Sequence, residues 1–221
     1  MSTFFDSEVK CGCCGEKVKI TRIGSTFCVG YSDLDTRPPS MRRWTMSKWV
    51  QACPHCGYVH RSLDKKIPFI KSFVKSKKYT ECDGLNVKNT IARRFVRWAL
   101  ICARTGRLKD EMNAYLCAAW ACDDHDEPKT AVILRTRCEL LLKKLMKREK
   151  DEQLCLMDAD LLRRSGQFDE VIRRYTDIPP YVKDEKIKEA LRFEINKAKL
   201  KNMRGFKFSK DGIVAIENWG F

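Results

Sequence analysis

Five cysteines crowd into two short stretches, Lys10-Cys-Gly-Cys-Cys-Gly-Glu-Lys-Val-Lys-Ile20 and Ala52-Cys-Pro-His-Cys-Gly-Tyr-Val-His60. A Cys-x-x-Cys turn presents two sulfurs from one tight loop. A Gly after the second Cys lets the backbone fold back so that amides approach sulfur. Cys11-x-x-Cys14-Gly15 and Cys53-x-x-Cys56-Gly57 both have this form. The chemistry they suit is tetrahedral coordination of one Zn2+ by Cys11, Cys14, Cys53 and Cys56. Four thiolates leave no position open for water, so the expected role is structural. The Gly and the two-residue gap select Cys14 over Cys13, which becomes a spare thiol. His55 lies between two ligands and cannot easily reach their metal, whereas His60 stands as an alternate ligand. A thioredoxin-like redox pair would need a following amphipathic helix in a βαβ setting, and neither pair has one.

Such ligands need strands to hold them. Lys17 to Ile23 alternates polar and apolar residues, Trp49 to Ala52 leads into the second pair, and Tyr58 to His60 leads out. Strand, knuckle, strand, twice over, is the layout of a zinc ribbon. The gap of 38 residues between Cys14 and Cys53 exceeds the roughly fifteen to twenty usual for such pairs. An insertion that includes Arg37-Pro-Pro-Ser40 is therefore expected to loop out of the ribbon. Within it, Asp33-x-Asp35-Thr36 superficially resembles a phosphotransferase nucleophile, but the preceding Thr26-Phe-Cys-Val-Gly-Tyr-Ser32 makes a poor strand. No paired base and nucleophile and no phosphate-cradling glycine loop accompanies it. Arg37 is expected to pair with Asp33 or Asp35 and pin the insertion to the ribbon. The acidic run Asp123-Asp-His-Asp126 is expected to cap the helix that Pro128 opens.

From about Asn86 the pattern turns helical. Ile91, Phe95, Trp98 and Cys102 form one stripe that Gly106 ends. Further helices follow over Asp110–Cys122, from Pro128 through Leu145, over Asp151–Ser165, over Phe168–Tyr175 and around Ile187–Ala198. Pro179-Pro180 stops the fifth, and Asp211-Gly212 between strand residues signals a terminal hairpin. Cys155 through Tyr175 resembles a tetratricopeptide helix pair, with a small residue, a turn glycine and aromatics at that spacing. Phe95 through Tyr115 is a poorer match. The turn glycines, Gly106 and Gly166, stand 60 residues apart rather than about 34, so the array is irregular. The fold class expected is mostly α with a small β module: an N-terminal zinc ribbon followed by a TPR-like helical-hairpin bundle. Its parts are a metal-binding module over 1–63, a basic aromatic linker over 64–85, a helical domain over 86–204 and a hairpin or tail over 205–221.

Among 221 residues the formal charge is +15, and residues 61–107 carry 13 basic against 3 acidic side chains. A local positive field of this kind attracts polyanions. Lys71, Lys75, Lys77 and Lys78 interleave with Phe69, Phe73 and Tyr79, and Arg93, Arg94 and Arg97 extend the positive face. Cations on phosphates and rings on bases would make a nucleic-acid interface. The plainer reading has the aromatics anchoring a linker and the lysines solvated. No run of about 18 apolar residues is present, so a spanning helix is not expected. Met1-Ser-Thr-Phe-Phe-Asp-Ser-Glu8 has acids and no apolar core, so no secretory leader is expected and the compartment is taken as cytoplasmic, where thiols stay reduced. Cys102, Cys117, Cys122, Cys138 and Cys155 then read as buried core thiols.

The combination of Cys11-x-x-Cys14-Gly15, Asp33-Leu-Asp-Thr-Arg-Pro38 and Trp49-Val-Gln-Ala-Cys-Pro-His-Cys-Gly-Tyr58, with Ala114, Tyr115 and Ala119-Trp120 in a later helix, resembles a bacterial family classed as a domain of unknown function. That resemblance reaches to about Tyr175. It implies a zinc module and a helical scaffold, and it does not imply a reaction. The expectation is a non-enzymatic interaction protein with a protein partner. The alternatives are a nucleic-acid binder acting through 61–107 and, least favoured, an enzyme acting through Asp33 and Asp35. No small-molecule substrate is evident.

Overall fold

The computed structural model describes residues 2–216. Two antiparallel hairpins lie at the front: β1 (Thr3–Lys10) with β2 (Lys17–Ser25), and β3 (Gln51–Ala52) with β4 (Val59–His60). Between them the insertion carries a short helix α1 (Ser40–Arg43) and a single 3-10 turn at Met46–Lys48. Two short helices, α2 (Ile70–Val74) and α3 (Lys77–Thr80), precede the helical body. That body comprises α4 (Thr90–Arg104), α5 (Leu108–Asp124), α6 (Pro128–Met146), α7 (Glu152–Arg164), α8 (Phe168–Tyr175) and α9 (Glu185–Lys199). A third hairpin, β5 (Phe206–Ser209) with β6 (Gly212–Ala215), closes the described chain. Of the expected tail over 205–221, residues 217–221 lie outside the described residues.

Helix limits follow from their end residues. Asn89 accepts from the Ala92 amide at 2.8 Å, Asp151 from Gln153 at 2.8 Å and Asp184 from Lys186 at 2.7 Å; each satisfies an amide that the first helical turn leaves unpaired. At the far ends one motif recurs: Arg107 N–H bonds Cys102 C=O, Glu127 bonds Cys122, Gln167 bonds Leu162 and Asn202 bonds Lys197. Each such closure needs a left-handed residue just before the donor. Gly106 and Gly166 supply it at φ +69° and +77°, and Asp126 and Lys201 adopt it at +54° and +51°.

Each of α4 to α8 packs on the next helix, and α7 also packs on α9. One hydrophobic cluster joins Cys11, Val18, Ile20, Tyr58 and Val59 of the front hairpins to Phe95, Trp98 and Ala118 of α4 and α5. A second gathers Leu34, Leu156, Val171, Leu191 and Phe206 around α7 to α9. The front hairpins and the first helices therefore share one core.

Leu34 belongs to the second cluster, and this corrects the expected path of the insertion. Rather than looping out, residues 32–34 lie along β5: Leu34 N–H bonds Phe206 C=O at 3.0 Å, and Phe208 N–H bonds Ser32 C=O at 3.2 Å. The Arg37 guanidinium pairs with Asp124 of α5, and the bond from Arg37 to the Asp35 carboxylate comes from its backbone N–H, at 3.3 Å. Asp33 instead pairs with Arg43 at 2.8 Å. Asp35 accepts the Trp120 indole N–H at 2.8 Å and the Arg164 guanidinium at 3.0 Å. These partners lie far along the chain, and the apolar Leu34 between the two acids draws the segment into the helical core. The acidic run after α5 is corrected too. Asp123 and Asp124 occupy the last turn of α5 and face Arg135, Arg164 and Arg37 instead of capping α6. Among the described residues no helix is long and apolar enough to cross a membrane.

Candidate metal centre

The two knuckles are built alike. In the first, Cys11 N–H bonds Glu16 C=O at 2.8 Å and Gly15 N–H bonds Cys11 C=O at 2.9 Å. In the second, Cys53 N–H bonds Tyr58 C=O at 2.8 Å and Gly57 N–H bonds Cys53 C=O at 2.9 Å. Both glycines are left-handed, at φ +84° and +74°, a conformation that a Cβ would strain. The equal geometry puts two sulfurs of each hairpin on the face it turns toward the other.

The Sγ atoms of Cys11, Cys14, Cys53 and Cys56 consequently lie within 4.8 Å of one another, with Cys11–Cys56 at 3.8 Å and Cys14–Cys53 at 3.7 Å. Among the described residues no other group of three or more His, Cys, Asp or Glu side chains converges in this way. Cys11 and Cys53 are buried and Cys14 and Cys56 half-buried. Burial pushes the Cys53 and Cys56 thiols above the ordinary cysteine range. A cation at the centre would reverse that, because coordination deprotonates the thiol outright. The quartet can hold a metal ion and, once filled, offers it no free position.

Neighbouring donors stand outside. Cys13 contributes its backbone N–H to Cys11 Sγ at 3.4 Å, and its side chain is not part of the quartet. His60 is also excluded: its Nδ1 accepts the Ser62 N–H at 2.9 Å, and its ring meets Trp98 edge to face at 4.6 Å. Burial, with Arg107 nearby, lowers its pKa to about 4, so the ring is a neutral packing group at pH 7.

Two supports of the site carry no sequence signature. Gly12 bonds Leu63 C=O through its N–H at 2.9 Å, and a Cβ at position 12 would stand 2.2 Å from the Lys65 carbonyl oxygen. Tyr58 donates its hydroxyl to that same carbonyl at 2.8 Å. Together they clamp the turn after β4 over the first knuckle. The one available hint is the small residue inside the first Cys-x-x-Cys.

The basic stretch divides. Lys71, Lys75, Lys77 and Lys78 are exposed, as is Phe69, at 83%. Tyr79 is 1% exposed and donates to Gly57 C=O at 2.9 Å, so it buttresses the second knuckle and cannot stack on a base. Phe73 packs edge-on against Tyr79 under the guanidinium of Arg104. Arg93, Arg94 and Arg97 donate to the carbonyls of Val87, Ser47 and Thr80. Asp33 and Asp35 are buried among their arginine partners. Cys102, Cys117, Cys122, Cys138 and Cys155 are buried free thiols, as their helical positions imply. No protein-family model, curated protein or solved structure matches this chain.

Proposed function

We propose that the four cysteines hold one structural Zn2+ and that the zinc-stapled front end and the helical body form a non-enzymatic scaffold for a protein partner. The observation that carries it is the sulfur quartet. Zinc–sulfur bonds of about 2.3 Å in a tetrahedron imply sulfur–sulfur edges of about 3.8 Å, against 3.8 Å for Cys11–Cys56 and 3.7 Å for Cys14–Cys53. The quartet sits where it matters mechanically. Cys11 and Cys53 belong to the same apolar cluster as α4 and α5, so a metal there ties the hairpins to the helices as well as to each other. For the scaffold half, the support is the consecutive packing of α4–α5 and α7–α8, two hairpins whose turns at Gly106 and Gly166 close in the same way. Such TPR-like pairs stack into surfaces that bind peptides and helices.

Protein prepared anaerobically should carry one zinc per chain by elemental analysis, and a chelator strong enough to strip it should abolish the near-ultraviolet signal of the packed aromatics. Capture from native cells should bring down a discrete protein that survives nuclease treatment. Metal-free protein that stays folded defeats the first half; loss of every partner on nuclease treatment defeats the second.

One observation favours a second reading. Phe69 is 83% exposed at a left-handed position, φ +57°, beside Lys71 and Lys75, for which no ion pair occurs among the described residues. A ring held out between cations suits single-stranded nucleic acid. Retention on an anionic polymer that falls about a hundredfold between 50 and 200 mM salt, and flattens when Lys71, Lys75, Lys77 and Lys78 are replaced together, would select it.

A further inference from the structure

The terminal hairpin leaves one side of its sheet open. On its other side, residues 32–34 bond β5 through Leu34 N–H to Phe206 C=O and Phe208 N–H to Ser32 C=O. The backbone groups of Phe206 and Phe208 therefore face away from β6. In an antiparallel ladder, residues directly opposite each other turn their groups both toward or both away from the partner strand. Phe206 stands opposite Ala215 and Phe208 opposite Ile213. The N–H and C=O of Ile213 and Ala215 thus point outward from the far side of β6, where no strand pairs with them among the described residues.

Proteins blunt such an edge with charge or proline, because it is a template for another strand. β1 is blunted in this way: Asp6, Glu8 and Lys10 alternate along it. β6 is not. Gly212-Ile-Val-Ala-Ile216 has no charged residue and no proline, and its β-branched side chains favour extended pairing. Val214 is 41% exposed. Ile213 and Ala215 lean on the second apolar cluster yet are only half-buried. The ring contacts of α9 go to β5 instead: Phe193 meets Phe206 edge to face at 4.9 Å, and Lys197 lies 5.4 Å from the same ring.

The strand is also its own complement. A two-fold axis at Val214 sets Ile213 against the partner's Ala215 and Gly212 against the partner's Ile216, so each large side chain meets a small one and no like charges face each other. In that register Ile213 and the partner's Ala215 exchange both backbone hydrogen bonds, which satisfies the groups that stand open. The two Val214 side chains then form a β-branched cross-strand pair. The same operation on β1 would bring its acids together.

We propose that β6 pairs antiparallel with β6 of a second copy of this chain across a two-fold axis at Val214, joining the two terminal hairpins into one sheet. The contact is short, which makes the dimer a weak one on the scale of stable interfaces. It is separate from the metal centre.

The test is sedimentation of the metal-loaded full chain from about 5 to about 500 μM, where a monomer–dimer equilibrium with a Kd below about 100 μM is expected. Val214→Lys and Val214→Glu each change one exposed side chain and should keep the wild-type circular dichroism. Each sets like charges face to face across the axis and should weaken the dimer at least about tenfold. An equimolar mixture of the two variants should recover a mixed dimer, since Lys then faces Glu. Hydrogen exchange at the Ile213 and Ala215 amides should slow as wild-type concentration rises. The proposal is overturned if the wild-type chain stays monomeric throughout, including the case in which its edge takes up only a foreign peptide. It is equally overturned if folded Val214→Lys dimerises like wild type, if the mixed variants stay monomeric, or if the dimer leaves exchange at Ile213 and Ala215 unchanged.

Discussion

Cys13 and Cys14 are adjacent, chemically identical and opposite in role. Sequence distinguishes them through spacing: only Cys14 has two residues between it and Cys11 and a glycine after it, and the structure places its sulfur, not that of Cys13, in the quartet. Replacing Cys14 by Ser should therefore abolish stoichiometric metal binding and lower stability by roughly 3 kcal/mol or more, since structural zinc sites bind with apparent free energies on the order of 10 kcal/mol. Cys13→Ser should keep one metal per chain and an unchanged melting temperature, because that side chain contributes no ligand atom. Elemental analysis and thermal melts on the two variants decide it; metal retained by Cys14→Ser and lost by Cys13→Ser would invert the assignment. The four converging cysteines were thus legible one by one. Gly12 was not, because what fixes it is the Lys65 carbonyl, a contact across 53 positions that no local spacing encodes.

Elements were legible where a periodic apolar face or a cap marks them. All six long helices and the terminal hairpin lie where periodicity, Gly106, Pro128 and Asp211-Gly212 place them. The strand β1 had no such mark. Phe4 and Phe5 point into solvent at 49% and 51% exposure, and only its partner β2 buries apolar residues, Val18 and Ile20. A strand whose apolar contact with the core is a half-buried Val9 at its end leaves no alternation to read. The helix ends carry a prediction of their own. Lys201 takes the left-handed position of a closure that Gly fills after α4 and α7, with Asn202 N–H bonding Lys197 C=O at 3.0 Å. It is exposed and pairs with no acid among the described residues. For a residue with a Cβ this conformation costs about 1–2 kcal/mol, offset in Gly by extra freedom in the unfolded chain. Lys201→Gly should accordingly stabilise the fold by about 0.5–1 kcal/mol, seen as a higher denaturant midpoint with an unchanged slope. A lower midpoint would mean that the Lys201 side chain does something the closure does not explain.

At the scale of the molecule, the joint between its parts is ionic and buried, and it was the least legible feature. The sequence shows Asp33, Asp35, Arg37, Asp123 and Arg164 but not that they converge, since up to 129 positions separate partners such as Asp35 and Arg164. Asp35→Ala should cost about 3–5 kcal/mol, because it strips a buried guanidinium of one partner and leaves the Trp120 N–H unmet. Asp35→Asn, which keeps an acceptor for the indole, should cost less. Behind this joint stands Asp160, whose Oδ1 receives Arg163 at 2.8 Å while Glu194 shares the same guanidinium. Burial first, and then the charge of Glu194, push its pKa to about 8. Unfolded, an aspartate titrates near 4, so between those values the folded chain binds more protons than the unfolded one, and stability falls as pH rises. His60, lowered to about 4, acts in the opposite sense, but only below about 6.5. Asp33, raised to about 6 by burial and the charge of Asp35, has mostly titrated by pH 7. The buried thiols contribute only as the unfolded cysteines ionise above about 8. Burial holds Glu194 and Asp158 above the usual carboxylate range as well, in the same sense, and Asp160, raised to about 8, is the carboxylate whose titration falls across the interval from pH 7 to 8. Across it the wild-type chain should lose about 1 kcal/mol, a fall of roughly 2–4 °C in melting temperature. Asp160→Asn fixes the neutral form in nearly the same shape, so its melting temperature should stay level over that interval. A wild-type melting temperature that holds or rises from pH 7 to 8, or an equal fall in the Asn variant, would mean that Asp160 is ionised in the folded chain and balanced by Arg163 and by Arg164, which stands 3.9 Å away.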